Sequence, residues 1–202
     1  MSPDYAIYIP WDIWVVSWVA AAIWANRTLK RPSGGREVPY FILEIGGFIT
    51  LLSIVDIPSR PVNANPLLAF LATRYWILPP DIAWAMVAVA VAGFLFCWWA
   101  RIHLGKLWSG RVTRKEGHHI VDSGPYALVR HPIYTGVLTA AIATAAVKGS
   151  VHALIGVCML LAAYQFKARL EERFLGEELG VDSYAAYRRR VPMLIPFGPK
   201  SA

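Results

Sequence analysis

The chain is 202 residues long, 56% hydrophobic and only 16% charged, with a mean hydropathy of +0.44. That is too apolar for a soluble domain of this size and puts the protein in a bilayer. A formal charge of +7 would raise nucleic acid as a partner for a soluble protein; in a membrane protein the Lys and Arg excess belongs to loops facing anionic lipid, and nucleic acid is set aside.

In chain order, the first apolar run covers residues 7–25 and is long enough to span. Trp11, Trp14, Trp18 and Trp24 recur along it at helical spacing, as interfacial belts do. The first ten residues carry no basic stretch and no small-residue cleavage site follows, so this run is expected to stay as a span rather than be removed as a leader. A loop at 26–37 holds Arg27, Lys30, Arg31 and Arg36. The second run, 40–57, contains Glu44 and Gly46-Gly47, and Pro58, Pro61 and Pro66 then break the chain. Residues 67–78, interrupted by Arg74, read as an interfacial helix outside the membrane. The third run, 82–102, is the clearest transmembrane helix. The fourth and fifth, 133–147 and 151–166, are separated only by Lys148-Gly149-Ser150, which forces an antiparallel hairpin. From Lys167 onward the chain is polar and helical.

The expected fold class is therefore an all-α integral membrane protein of about five transmembrane helices, ending in a helical hairpin and a cytoplasmic helical tail. Of the 20 Lys and Arg, 17 fall in the first loop, in 101–130 and in the tail, against Arg60, Arg74 and Lys148 on the other side. The positive-inside rule then predicts the N-terminus outside and the C-terminus in the cytoplasm. One domain, 1–202, is expected: transmembrane helices 1–3 in 1–102, a loop of binding residues in 103–132, the hairpin in 133–166 and the tail in 167–202. Cys97 and Cys158 lie in apolar runs and read as small hydrophobes. His118 and His119 are adjacent and diverge on any regular element, so no metal is expected.

The polar chemistry concentrates in residues 117–136. Gly124-Pro125 and His131-Pro132 are turn signals, because each proline fixes its φ, lacks an N–H and pushes the preceding residue out of the helical region. The resulting stiff loop sets Tyr126, Arg130, His131 and Tyr134 at the mouth of the fourth run, on the same side as the tail. On the tail, Lys167 and Glu171 share a helical face, as do Arg169 and Glu172, so surface ion pairs are the plain expectation there. Glu44 is an acid inside an apolar run, a functional candidate by default, with pairing to an Arg of the tail as the alternative.

Gly124-Pro125-Tyr126 through Arg130-His131-Pro132-Ile133-Tyr134-Thr135-Gly136, followed by Glu171-Glu172-Arg173-Phe174-Leu175 and then Tyr184, Tyr187 and Arg190-Val191-Pro192, resembles the isoprenylcysteine carboxyl methyltransferases. More broadly it is similar to the membrane methyltransferases that include phospholipid N-methyltransferases. The resemblance covers about 100–197 and implies a multi-helix membrane enzyme that uses S-adenosyl-L-methionine without a dinucleotide-binding domain. On that resemblance His119, Ile120, Val121, Asp122, Tyr126, His131, Pro132, Ile133 and Tyr134 match cofactor-contacting positions, and Glu171 matches a cofactor-contacting acid. Arg130 and Glu171 are the candidate catalytic residues. Lys167 falls where the eukaryotic enzymes place an arginine near the methyl acceptor, and Lys167, Arg169 and Glu44 are the candidate acceptor-binding residues. The acceptor implied is a lipid-like amphiphile from the bilayer, a prenylcysteine-like carboxylate first, with a phospholipid amine or a thiol as alternatives. A non-catalytic membrane protein and a sterol-type reductase are the other classes the pattern admits.

Overall fold

The computed structural model describes residues 1–24, 27–30, 35–53, 65–115 and 119–200. Arg31, Pro58, Arg60, Pro61 and His118, named above for charge, chain breaking or metal binding, lie outside them. The protein is helical: α1 (Pro3–Ala6), α2 (Ile9–Ala21), α3 (Val38–Leu52), α4 (Pro66–Ala72), α5 (Pro80–Leu104), α6 (Pro125–Leu128), α7 (Pro132–Lys148), α8 (Val151–Leu179) and α9 (Val181–Arg190). Three stretches are long and apolar enough to cross a membrane, Pro3–Trp24, Pro80–Leu107 and Val151–Glu178. With the shorter apolar α3 and α7 beside them, this is a helical membrane protein.

Two pairings organise the bundle. The helix α5 packs along α7, α3 packs along α8, and the two pairs join where α7 meets α8. Between α5 and α7 the backbones approach until side chains have no room. A Cβ on Gly93 would sit 2.6 Å from the carbonyl oxygen of Gly136, the close approach that small residues allow where lipid supplies no hydrophobic drive. Trp11, 2% exposed, seals the middle of the bundle. Its ring meets Phe48 of α3 and Phe94 of α5 edge-on, and its indole N–H donates to Thr144 of α7 over 2.9 Å.

At the far end from the loop, the two described cations of the sparse side, Arg74 and Lys148, are held by protein groups. Lys148 is 4% exposed and donates to the Tyr8 hydroxyl and the Ser53 carbonyl. Arg74 bridges Asp4 and the Val147 carbonyl. The helix expected across 67–78 is shorter than that: α4 stops at Ala72 and the chain runs extended past Arg74, pairing with Ser150.

Two further differences from the sequence reading matter for the site. The hairpin's second arm and the first part of the tail are one helix, α8, 29 residues long. No proline interrupts it, so the change from apolar to charged residues at Lys167 marks a change of solvent and leaves the backbone unbroken. A short antiparallel ribbon also joins β1 (Thr28–Lys30) to β2 (Arg114–Lys115), tying the first loop to the segment that precedes the site.

Candidate active site

The loop before α7 is built from backbone constraints. Gly124 has φ 57, and a Cβ there would meet the His103 ring at 2.8 Å; only glycine suits both demands. Pro125 then starts α6 and Pro132 starts α7, leaving Val129 extended and His131 at the turn between them. The loop is stitched to the chain's end: the Arg130 and His131 N–H groups donate to the carbonyls of Pro192 and Met193 over 2.9 and 3.1 Å, and the Thr135 hydroxyl donates to the Leu194 carbonyl over 2.6 Å.

Glu172 of α8 is the knot of this stitching, at 4% exposure. It accepts from Arg130 Nε at 2.7 Å, lies 3.1 Å from His131 Nε2, and pairs with Arg188 Nε at 3.3 Å. The rest of the Arg130 guanidinium donates to the carbonyls of Arg188 and Val191. A buried arginine surrounded in this way is held by protein, as a buried charge must be. The expected Glu172–Arg169 pair is replaced by Glu172–Arg130.

One residue along, Glu171 turns the other way and accepts from the Tyr134 hydroxyl at 2.9 Å, with His131 Nδ1 3.7 Å away. His131, Tyr134 and Tyr164 form a stack, their successive ring centroids 5.2 and 4.8 Å apart and their planes 4° and 13° from parallel. Beside it, Lys167 of α8 sits 3.3 and 3.4 Å from the two carboxylate oxygens of Glu44 of α3, inside a cage of Tyr40, Tyr134 and Tyr164 rings 5.3 to 5.9 Å from its Nζ.

These groups line one cavity of about 280 Å³. Glu44, His119, Ile120, Val121, Tyr126, Arg130, His131, Ile133, Tyr134, Lys167 and Glu171 all border it. Three candidates do not. Asp122 is exposed and paired with Arg190, Pro132 is buried at the head of α7, and Arg169 is exposed and bonded to Gln165. Arg169 lies two positions from Lys167, about 200° around the helix, so the two cannot share a face. The cavity also takes in groups that were not among the candidate site residues. Trp14, Trp18 and Trp108 form an aromatic wall, with Trp18 5.0 Å from Trp14 and 5.5 Å from Trp108. The first two were expected to be interfacial belts. Tyr40 is four residues before Glu44 and Tyr164 three before Lys167, a helical-face spacing that could have revealed the cage. Tyr184 and Tyr187 close the cavity from α9, the latter donating to the Tyr126 carbonyl at 2.8 Å. Burial, with nearby acids second, pushes the Tyr126 and Tyr184 hydroxyls well above the usual tyrosine range, and burial does the same for Tyr187. All three stay neutral donors at physiological pH.

With this geometry in place, comparison with known proteins is specific. Residues 86–177, which run from α5 to the end of α8, match the profile of the isoprenylcysteine carboxyl methyltransferase (ICMT) family. Over those residues, just under half of its length, the chain is similar to the ICMT family. It is 45% identical over 136 residues to methanethiol S-methyltransferase 2 of Bradyrhizobium diazoefficiens, covering 61% of this chain and 50% of that protein. It is 35% identical over 103 residues to the protein-S-isoprenylcysteine O-methyltransferase of Schizosaccharomyces pombe, covering 50% and 43%. It is 30% identical over 124 residues to the cobalt-zinc-cadmium resistance protein CzcN of Cupriavidus metallidurans, covering 60% and 51%. The chain thus spans about half the length of the curated relatives it matches. The matched segment contributes most of the cavity wall, whereas Trp14, Trp18 and Glu44 come from the N-terminal helices before it and Tyr184 and Tyr187 from α9 after it. Among the described residues, no group of three His, Cys, Asp or Glu side chains is arranged to hold a metal.

Proposed function

We propose that the protein is a membrane-embedded methyltransferase using S-adenosyl-L-methionine, with a single catalytic domain, five membrane-crossing helices (α2, α3, α5, α7 and α8), an external N-terminus and a cytoplasmic C-terminus. The observation that carries this reading is the convergence of the loop 119–134, α8 and α9 on one cavity, polar beside the loop and aromatic toward the bundle. The donor set suits the cofactor. Tyr134 and Glu171 offer a hydroxyl and a carboxylate to its amino-acid and ribose groups, and Tyr126, His131 and the Ile120–Val121 backbone flank a space for a flat heterocycle. Bound there, the cofactor supplies an electrophilic methyl group on a sulfonium. The chain's own contribution is alignment and exclusion of water, since an apolar cavity favours a transfer in which charge disperses. Arg130, tied to Glu172 and the tail, acts by holding the loop against α9, and Glu171 faces the cofactor.

The acceptor is a membrane-associated amphiphile whose apolar part lies along the helices. Carboxyl O-methylation of a prenylcysteine-like substrate is the first reading, supported by the family match and by the S. pombe relative. Methylation of a thiol is the second, favoured by one observation: Lys167, the cation expected to grip a carboxylate, is already paired with Glu44. The methanethiol-methylating relative points the same way.

Calorimetry on detergent-purified protein tests the reading: S-adenosylhomocysteine binds and NADPH does not. Binding of NADPH alone would favour a reductase. Methyl transfer to a carboxylate stays flat above about pH 4, whereas transfer to a thiol rises toward the thiol's ionisation near pH 8.5.

A further inference from the structure

The Glu44–Lys167 pair lines the cavity but has no part in the cofactor contacts proposed above, and it is an unusual recognition element. Lys167 is 6% exposed, its ammonium lies between three tyrosine rings, and its contacts to the two Glu44 oxygens are long for an ion pair, at 3.3 and 3.4 Å. A lone carboxylate head entering here would meet the Glu44 oxygens together with the ammonium, a like-charge contact that disfavours it. A head that brings its own hydrogen is suited to both members of the pair. It can donate to Glu44 and present its lone pair beside Lys167.

On the second reading above, a methyltransferase acting on a thiol, we infer that Glu44 is the proton acceptor and Lys167 the anion holder for S-methylation of a thiol drawn from the membrane. The S–H proton passes to the Glu44 carboxylate. The sulfur pair forms the new bond to the methyl carbon as that carbon's bond to the sulfonium breaks and its electrons return to the donor sulfur. Lys167 offsets the thiolate charge until the bond forms, and Glu44 then returns its proton to water. Charge balances at every stage: the pair is neutral before the proton moves, and the thiolate replaces Glu44 as the anion beside Lys167 afterwards. A half-buried base next to a fixed, buried cation is the arrangement that makes a weakly acidic nucleophile reactive at neutral pH. The groups facing the pair are Tyr40 from α3, whose hydroxyl donates to Glu37, Tyr134 from α7 with His131 stacked behind it and Glu171 on its hydroxyl, and Tyr164 from α8. Of these Glu171 is engaged by Tyr134, leaving Glu44 as the carboxylate in contact with Lys167.

The test uses the full chain in detergent, with octanethiol as acceptor and octanoate as its carboxylate counterpart. With S-adenosylhomocysteine in place of the donor no turnover occurs, so thiolate ultraviolet absorbance on adding octanethiol reports the proton transfer alone. The wild type develops that absorbance at neutral pH and methylates the thiol. Glu44→Gln loses both, its turnover number falling about a hundredfold or more, while its affinity for S-adenosylhomocysteine is retained, which shows that it is folded. Its residual rate climbs with pH as the thiol ionises unaided. Glu44→Asp recovers part of the rate, and Lys167→Gln loses the absorbance band. Retention of the thiol rate by Glu44→Gln at neutral pH overturns the inference, as does transfer by the wild type to octanoate alone. In either case S-adenosylhomocysteine binding leaves the methyltransferase reading standing. No binding of S-adenosylhomocysteine by the wild type would overturn both.

Discussion

A carboxylate buried among two arginines and a histidine must satisfy all of them or release the elements they stand on, and Glu172 is in that position. Glu172→Ala leaves Arg130 buried without its carboxylate, a loss of about 3–5 kcal/mol for a buried pair. The expected outcome is a lower melting temperature together with loss of cofactor binding, because the loop and α9 separate. Glu171 sits beside it with a different duty. Tyr134→Ala, His131→Ala and Glu171→Ala each weaken cofactor affinity by roughly ten- to a hundredfold, the worth of a charge-assisted hydrogen bond of about 1.5–3 kcal/mol. Glu177→Ala, on the exposed stretch of the same helix, leaves affinity unchanged, and titration calorimetry distinguishes the two groups. The cavity tyrosines set an alkaline limit. Tyr126, Tyr184 and Tyr187 hold their protons in the folded protein beyond the pH at which an unfolded chain gives them up, about pH 10. Their contribution to stability is complete below that pH and declines as pH rises through the folded values, so melting temperature falls on the alkaline side. Tyr187→Phe flattens that decline.

At the level of helices, the α5–α7 contact allows no side chain at Gly93. Gly93→Val drives a branched side chain into the Gly136 backbone, and overpacking of this kind costs about 1–3 kcal/mol or more. Because α7 carries the loop at its head, cofactor affinity falls along with stability, measurable as reduced calorimetric binding at a temperature where the variant is still folded. Most of this architecture could be read from the sequence. Hydrophobic runs gave the apolar helices, and the Gly-Pro and His-Pro steps gave the stiff loop before α7. What could not be read has physical causes. The continuity of α8 was hidden because its composition changes at Lys167 while its backbone does not. The β1–β2 ribbon pairs residues far apart in sequence, with no local pattern to announce it. Arg130 was legible as a site residue, but its engagement by Glu172 and the α9 carbonyls was not, since α9 had to be folded back first. Glu44 drew notice as an acid in an apolar run, yet its partner lies 123 residues away. Only the tyrosines at helical spacing around that pair were a missed local signal.

For the molecule as a whole, function depends on which side of the membrane the cavity faces. The charge distribution makes a definite prediction. The ribbon, the loop and α9 gather the Lys- and Arg-rich segments, while Arg74 and Lys148 at the opposite end are tied to Asp4, Tyr8 and backbone carbonyls rather than offered to a lipid surface. The end that keeps its cations accessible is the one retained in the cytoplasm. Asn65, beside α4, and Ser109 and Ser183, flanking the cavity, lie at opposite ends of the helices. In a background with Cys97 and Cys158 replaced, a membrane-impermeant thiol reagent applied to intact cells labels Asn65→Cys and spares Ser109→Cys and Ser183→Cys until the membrane is opened. On the proposed reading, the same orientation would let a polar cofactor enter from the cytoplasm and an amphiphilic acceptor reach the Trp14–Trp18–Trp108 wall from the lipid. Labelling of Ser109→Cys and Ser183→Cys in intact cells, with Asn65→Cys protected, would invert the topology and remove the cytoplasmic route on which the proposed reaction relies.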